Sequence, residues 1–486
     1  MLSELIRLDA STISKLIRER EISCVEVVEA TLDQLKLTEP QLNAFALVDE
    51  QGALGAARDI DAQLLTDGSD APLLGAAFSV KDLIDVRGLE TGCGSWLMEG
   101  TTAPEDAVAV SRLRAAGAVF IGKTTTPEFA GSVLTESPRC GITRNPWNVR
   151  HTPGGSSGGA GAALAAGCGP LALATDGAGS ARIPASCCGV LGLKPTLGRV
   201  PHPQAPDLFG NFTHLSPMTR SLPDLALMLN VLSGSDSGDP WSIGRTWEPI
   251  EVKREASGLA ARVNGWYFPL LGNPRLSKAI ASVCHSAITW LESEGAHIEE
   301  HDDSGLDWGI DTSRTIMRGL MSARMAQYNA TQRGRMGASM RTAITQGEKM
   351  SADAMKAAPI ARAYLYRQVE TLLEKKALIL SPTLSAPPPL ADIDPVGAFE
   401  VDGHAVGDLR SGWFTYPTPF NLTGHPAISI PIGFDDQGLP VGLQAVARWG
   451  QEQLLFDLAS VLQERFSWAE HWPSAVGFQT SSEIAN

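Results

Sequence analysis

What this chain of 486 residues lacks narrows its function first. Its seven cysteines, Cys24, Cys93, Cys140, Cys168, Cys187, Cys188 and Cys284, form no Cys-x-x-Cys pair and no Cys/His spacing of the zinc-site kind. Neither a metal nor an organic cofactor is expected, and the odd, scattered count suits a reducing cytoplasm. Basic runs are also missing: 39 Lys and Arg stand against 54 Asp and Glu, a formal charge of −15. That balance argues against unaided binding to nucleic acid or to an anionic membrane. The opening, Met1–Glu21, mixes charge with apolar residues and has no continuous apolar core, so it does not read as a signal peptide. The one long uncharged stretch, Thr152 to Thr175, is broken by glycines, Pro153, Pro170 and paired serines, which predicts a buried helix rather than a membrane span. No histidine among the nine has an obvious catalytic setting, and no internal repeat or linker is visible.

What is present alternates between strand and helix patterns. Residues 1–66 read as an outer helical layer, with helices from Ser11 to Glu21 and Ser23 to Leu37 starting at N-capping serines, and a third from Asp49 to Leu65. The catalytic domain is expected over 67–486. Leu74–Lys81 reads as a buried strand that ends, unusually, on a lysine. A helix from Ala107 to Ala116 and a strand from Ala118 to Ile121 give one β/α alternation. Gly117 to Thr124 matches the phosphate-loop pattern G-x-x-x-x-G-K-[ST]. Its four middle residues are apolar and are themselves the strand, which argues against nucleotide binding. Further on, helices are expected at Ser221–Leu232 and Pro274–Glu294, and strands at Arg262–Phe268 and Ala296–Glu299. A variable, mostly helical region follows at about 300–375, with Met317, Met321 and Met325 on one helix face. Strands at Ala377–Ser381, Ala427–Ile432 and Val441–Val446 and a helix at Gln451–Glu464 close an α/β fold.

The stretch Pro153–Pro195 carries the chemistry. Glycine suits backbone that must reach positive φ or approach a ligand, and here glycines surround serines able to attack or to relay protons. Gly155-x-Ser157-x-Gly159 also fits the nucleophile elbow of α/β-hydrolases. That pattern needs a strand just before it, and Asn148–Pro153 offers only Val149 among polar residues and a proline.

Three segments together resemble the amidase signature family of serine hydrolases: Gly154-Gly155-Ser156-Ser157-Gly158-Gly159; Asp176 to Pro184, with Ser180 and Arg182 in place; and Gly189 to Thr196. Trp413–Pro431 and Gly438–Gln444 are similar to the family's second block. The resemblance implies a single large α/β domain with a central mixed sheet covered by helices on both faces. It also implies a Ser-Ser-Lys triad with Ser180 as nucleophile, Ser156 on a cis peptide as bridge, and Lys81 as base. Gly177, Ala178, Gly179 and Ser180 are then the expected oxyanion-hole donors, although Gly177 stands where a bulkier residue is usual and Ala178 where glycine is usual. Ala130 falls where the family has a substrate-contacting carbonyl, with Gly131 and Ser132 beside it; taken alone, the three read equally as surface loop. Asp176 and Arg182 bracket the nucleophile loop and are expected to pair structurally. Homodimers are frequent in such a family.

The chemistry implied is hydrolysis of a carboxylic amide, or a related anilide, carbamate or hydrazide, through an acyl-enzyme. Lys81 can act as base only when neutral, which requires burial to lower a pKa ordinarily of about 10.4. Asp82 must then face the other way, as strand alternation predicts. The expected partner is a small amide, and Phe209, Phe212, Met317, Met321, Trp413 and Tyr416 hint at an apolar pocket. The same motifs also fit the A subunit of a tRNA-dependent amidotransferase, a glutaminase working for partner subunits. A degenerate scaffold is disfavoured by the intact Lys81, Ser156 and Ser180.

Overall fold

Strands covered on both faces read as near-continuous apolar runs. In the computed structural model, which describes residues 2–66, 68–253 and 258–474, such runs form the centre of the molecule. The strands are β1 (Phe45–Val48), β2 (Ala77–Lys81), β3 (Val119–Thr124), β4 (Leu171–Asp176), β5 (Leu191–Lys194), β6 (His214–Thr219), β7 (Asn264–Tyr267), β8 (His297–Glu300), β9 (Leu378–Pro382), β10 (Ala427–Phe434) and β11 (Pro440–Val446). They make one 11-stranded mixed sheet in the order β1-β3-β2-β4-β6-β5-β10-β11-β9-β7-β8. β2 runs parallel to both β3 and β4, and β7 parallel to β8 and β9, while the other neighbours are antiparallel.

Alternate side chains of these strands feed two cores. Phe78, Leu171, Leu191 and Leu443 pack against the helices Val108–Ala115, Leu222–Leu232, Lys278–Ser293 and Glu452–Phe466. Ala77, Val119 and Ile121 face Cys24–Leu42, Glu50–Thr66 and Gly158–Ala165, while Ile379 and Val446 face Ala352–Lys375. Each fully buried Leu or Phe contributes about 1.5–3 kcal/mol by leaving water. The expected α/β domain, a central mixed sheet with helices on both faces, is what these layers form.

Local chemistry explains most element ends. Ser23 caps its helix in a reciprocal box with Glu26, and Ser221 accepts from the Asp224 N–H with Pro223 in the first turn. Three expectations need correction. The first of those N-terminal helices begins at Ala10 and is capped by Asp9, a stronger acceptor two residues ahead of Ser11. Residues 1–66 are not wholly helical, because β1 adds to the sheet edge antiparallel to β3. The uncharged stretch from Thr152 is not one helix: it holds the eight-residue helix Gly158–Ala165, and β4 begins directly after Pro170, which lacks the N–H to continue a helix.

That short helix is composed of Gly, Ala and one Leu, all buried. A Cβ on Gly159 would stand 2.4 Å from Thr125 Oγ1 and 2.5 Å from the Ala44 carbonyl oxygen, so only glycine lets the helix lie this close to the sheet. Ser156 is thereby carried beside the carboxyl ends of β2 and β4, where open α/β sheets bind ligands. Among the described residues no helix is long and apolar enough to cross a membrane.

Candidate active site

Lys81 is the last residue of β2, and Thr175 the last but one of the neighbouring parallel strand β4. The Lys81 Nζ donates to Ser156 Oγ at 2.7 Å and to Thr175 Oγ1 at 2.9 Å. Ser156, on a cis peptide after Gly155, is 2.9 Å from Ser180 through the two hydroxyls. Lys81 and Ser156 are fully buried, whereas Ser180 is half-buried and alone of the three meets the open side. With an ammonium at Lys81 the donors run from Lys81 to Ser180; with a neutral amine the same distances serve the reverse direction.

No carboxylate lies within ion-pair distance of Lys81 among the described residues. Burial therefore brings its amine down from the usual lysine range to about 7, against the weaker opposing pull of Asp176. Asp82 faces away, as alternation requires: its carboxylate sits 3.2 Å from Lys123 Nζ and accepts from the Gly92 N–H at 3.0 Å. Lys123, the lysine of the phosphate-loop pattern, is thus a buried ion-pair partner within strand β3.

The loop after β4 is held by a buried clamp. Arg182 grips Asp176 with two bonds of 3.0 Å, from Nε to Oδ2 and from Nη2 to Oδ1. It also donates to Gln444 Oε1 and Asn421 Oδ1, each at 2.6 Å. Asn421 Nδ2 returns to the Asp176 carbonyl at 2.8 Å and to its carboxylate at 2.9 Å. Burial alone would raise the Asp176 carboxyl, yet the Arg182 charge and the bonds from Arg182 and Asn421 hold it well below the usual carboxylate range.

This clamp also sorts the backbone donors. The Gly179 N–H donates to Asp176 Oδ1 at 2.7 Å, so it is spent within the loop and does not face a substrate. The N–H groups of Gly177, Ala178 and Ser180 have no acceptor among the described residues. Gly179 has φ +106°, and a Cβ there would stand 2.5 Å from Pro417 Cβ, which leaves glycine as the fitting residue. The Gly177 position is roomy: the nearest atom to an added Cβ is Thr213 Oγ1 at 3.5 Å.

Across the opening, Phe129 and Ala130 both adopt positive φ, and the Ala130 carbonyl accepts no hydrogen bond among the described residues. Gly131, Ser132 and Val133 line a cavity of about 180 Å³ with Met317, Met321 and Phe414. Other apolar candidates fall elsewhere. Trp413, Tyr416 and Phe212 are buried in the core, with the Trp413 indole donating to the Ala386 carbonyl and the Tyr416 hydroxyl to that of Pro269, while Phe209 is 80% exposed. Sequence reasoning did not single out Thr175, Asn421 or Gln444. Only adjacency to Asp176, and two amides inside an otherwise apolar block, hinted at them. No group of His, Cys, Asp and Glu among the described residues is arranged to hold a metal ion.

Several known proteins resemble this chain over nearly its whole length. The sequence model described as Amidase matches residues 26–456. An acylamidase of Rhodococcus erythropolis is 34% identical over 474 residues, covering 96% of this chain and 97% of that protein. The glutamyl-tRNA(Gln) amidotransferase A subunit of Roseiflexus castenholzii is 32% identical over 498 residues, covering 97% and 98%. Among solved structures, 6-aminohexanoate cyclic dimer hydrolase complexed with substrate superimposes with a TM-score of 0.83 at 28% identity, covering 97% of this chain and 100% of that one. A bacterial aryl acylamidase has the same fold, with a TM-score of 0.86 at 24% identity and coverage of 97% and 99%.

Proposed function

Because this chain belongs to the amidase family and is an amidase signature amidohydrolase, we propose that it hydrolyses a linear carboxylic amide through an acyl-enzyme on Ser180, with Ser156 and Lys81 as the proton relay. The observation that carries the reading is the unbroken chain Lys81–Ser156–Ser180, at 2.7 and 2.9 Å, ending in an amine with no counter-ion.

An amide is a weak electrophile with a poor leaving group, so each bond change needs help. Ser180 Oγ attacks the carbonyl carbon while its proton passes to Ser156, whose own proton passes to the neutral Lys81 amine. Positioned proton transfer of this kind is worth on the order of 10²–10⁴ in rate. The oxyanion is received by the N–H groups of Gly177, Ala178 and Ser180, each such donor contributing about 3–4 kcal/mol in comparable sites. The relay then runs backwards: Lys81 returns a proton through Ser156 to the departing nitrogen, the C–N bond breaks, and the amine or ammonia leaves. Water attacks the ester by the same route, the Ser180 C–O bond breaks, and the carboxylic acid is released with Ser180 protonated again. The Asp176–Arg182 pair acts by holding the donor loop, and Ala130 with Gly131 and Ser132 forms the facing substrate wall.

The test is a mass measurement on enzyme quenched during turnover of a para-nitroanilide. An acyl adduct on the Ser180 peptide, absent with Ser180→Ala, is expected, with the variant folded and inactive. Retained hydrolysis by Ser180→Ala overturns the assignment. The identity to the amidotransferase protein supports a second reading, a glutaminase. Glutamine hydrolysis that depends on two co-purifying partner subunits, with no turnover of simple amides, selects it.

A further inference from the structure

The cavity beside Gly131–Val133 has two walls that are packed, through one neighbour each, against the residues flanking the reacting serines. A Cβ on Gly155, next to Ser156, would stand 2.8 Å from the Val133 carbonyl carbon, so Val133 packs directly against the residue before the bridging serine. The opposite wall includes Phe414, three residues before Pro417, which lies against Gly179 next to Ser180. The helices Ile310–Met325 and Ala338–Glu348 form another side of the cavity.

Charge along this cavity is one-sided. The charged residues lining the cavity are Arg314, Arg318 and Arg410 against a single acid, Asp408. Asp408 is engaged through one oxygen: its Oδ1 accepts from Arg314 Nη2 at 3.2 Å and from the Ser411 N–H at 2.8 Å and bonds the Ser411 hydroxyl, while its charge also acts on Arg410. Arg314 also reaches Asp311 at 3.2 Å, and its Nε is buried without an acceptor. Arg318 and Arg410 have no carboxylate within 4.0 Å among the described residues. Arg410 is half-buried, with Nη1 on Met317 Sδ at 3.4 Å and its guanidinium 5.2 Å from the Phe414 ring centre. A chain of net charge −15 has no general surplus of arginine to scatter here. Crowding guanidinium groups in one partly buried cavity is unfavourable unless an anion completes the set.

We propose that the amide hydrolysed carries a carboxylate remote from its scissile bond, and that Arg410 and Arg318 bind that carboxylate in this cavity while the apolar stem of the substrate lies on Met317 and Phe414. The chemical class is a monoamide of a dicarboxylic acid or an amide of an amino-carboxylic acid. A planar guanidinium matches a carboxylate with two parallel bonds and stays charged at any physiological pH. Burial and the neighbouring Arg314 bring the Arg410 pKa down only to about 10. This inference rests on the amidohydrolase reading above and adds what selects its substrate.

Two matched pairs test it: glutaric mono-para-nitroanilide against pentanoyl-para-nitroanilide, with the anion on the acyl side, and para-acetamidobenzoate against para-acetotoluidide, with the anion on the amine side. In at least one pair kcat/KM is expected to favour the anionic member by about tenfold or more, the size of a charge-assisted hydrogen bond to a buried partner. Arg410→Met is expected to collapse that ratio, and Arg410→Lys to keep part of it. Calorimetric titration of Ser180→Ala with the anionic member gives a readout free of turnover, and binding should weaken about tenfold in Ser180→Ala/Arg410→Met. Ratios near one in both pairs, or a ratio and affinity unmoved by Arg410→Met and Arg318→Met, overturn the anion site while hydrolysis of the neutral amides leaves the catalytic reading intact. Loss of the acyl adduct on Ser180 sinks the catalytic reading instead, and the titration still decides the anion site on its own.

Discussion

Two lysines close neighbouring parallel strands, and both are fully buried. Lys81 ends β2, and Lys123 lies one residue from the end of β3. Lys123 has a carboxylate partner in Asp82 at 3.2 Å, and donates to Thr91 Oγ1 at 2.8 Å and the Glu90 carbonyl at 2.9 Å. Among the described residues Lys81 donates only to hydroxyls, those of Ser156 and Thr175, and has no ion-pair partner. Burial pushes the pKa of both downward, but at Lys123 the Asp82 charge draws it back, whereas Lys81 falls to about 7. Burial is common to both lysines, so burial by itself does not tell them apart. What separates a structural cation from a proton acceptor here is whether a carboxylate was buried with it.

The contrast can be broken most sharply by exchanging each amine for a methionine of similar shape. Lys81→Met should lower kcat by on the order of 10⁴-fold or more, as removal of one member of a catalytic unit does elsewhere. Its thermal unfolding should not move downward, because no ion pair is lost and an unpaired buried amine is replaced by an apolar chain. Lys123→Met should do the opposite. It strands the Asp82 charge in the core and costs about 3–5 kcal/mol in denaturant unfolding. The folded fraction should keep its turnover, and adding Asp82→Leu should restore most of the stability. Equal losses of stability in the two single variants would erase the distinction. A finer probe is Thr175→Val, which removes one of the two hydroxyls that orient Lys81. One lost hydrogen bond predicts a fall in kcat of about tenfold, with KM little changed.

Much of this was legible in the sequence because it is local. The apolar run ending at Lys81, the capping serine Ser23, and the glycine-framed serines are each readable within ten residues. The strand character of Gly117–Thr124 was readable as well, and it kept Lys123 from being mistaken for a phosphate ligand. Failures trace to distance or to shortness. β1 has only four residues between two helices, too few to show a period. Asn421 and Gln444 reach Asp176 and Arg182 across 245 and 262 residues, so no local pattern announces them. Trp413 and Tyr416 were grouped with pocket residues by aromatic character alone, yet their polar tips are satisfied by core carbonyls and they line the interior. The spent N–H of Gly179 depends on where one carboxylate oxygen points, which spacing does not encode.

In the proposed relay, catalysis turns on the protonation state of one amine. Below about pH 7 Lys81 is an ammonium and accepts nothing; above it the amine is neutral, so kcat/KM should rise with pH through that value. Lysine labelled with carbon-13 at the ε position, followed by NMR in Ser180→Ala across the pH range, reads this directly, with the Lys81 signal assigned by its loss in Ser180→Ala/Lys81→Met. A midpoint near 7 for Lys81 is the predicted result. A Lys81 midpoint near the ordinary lysine value of about 10.4 contradicts it.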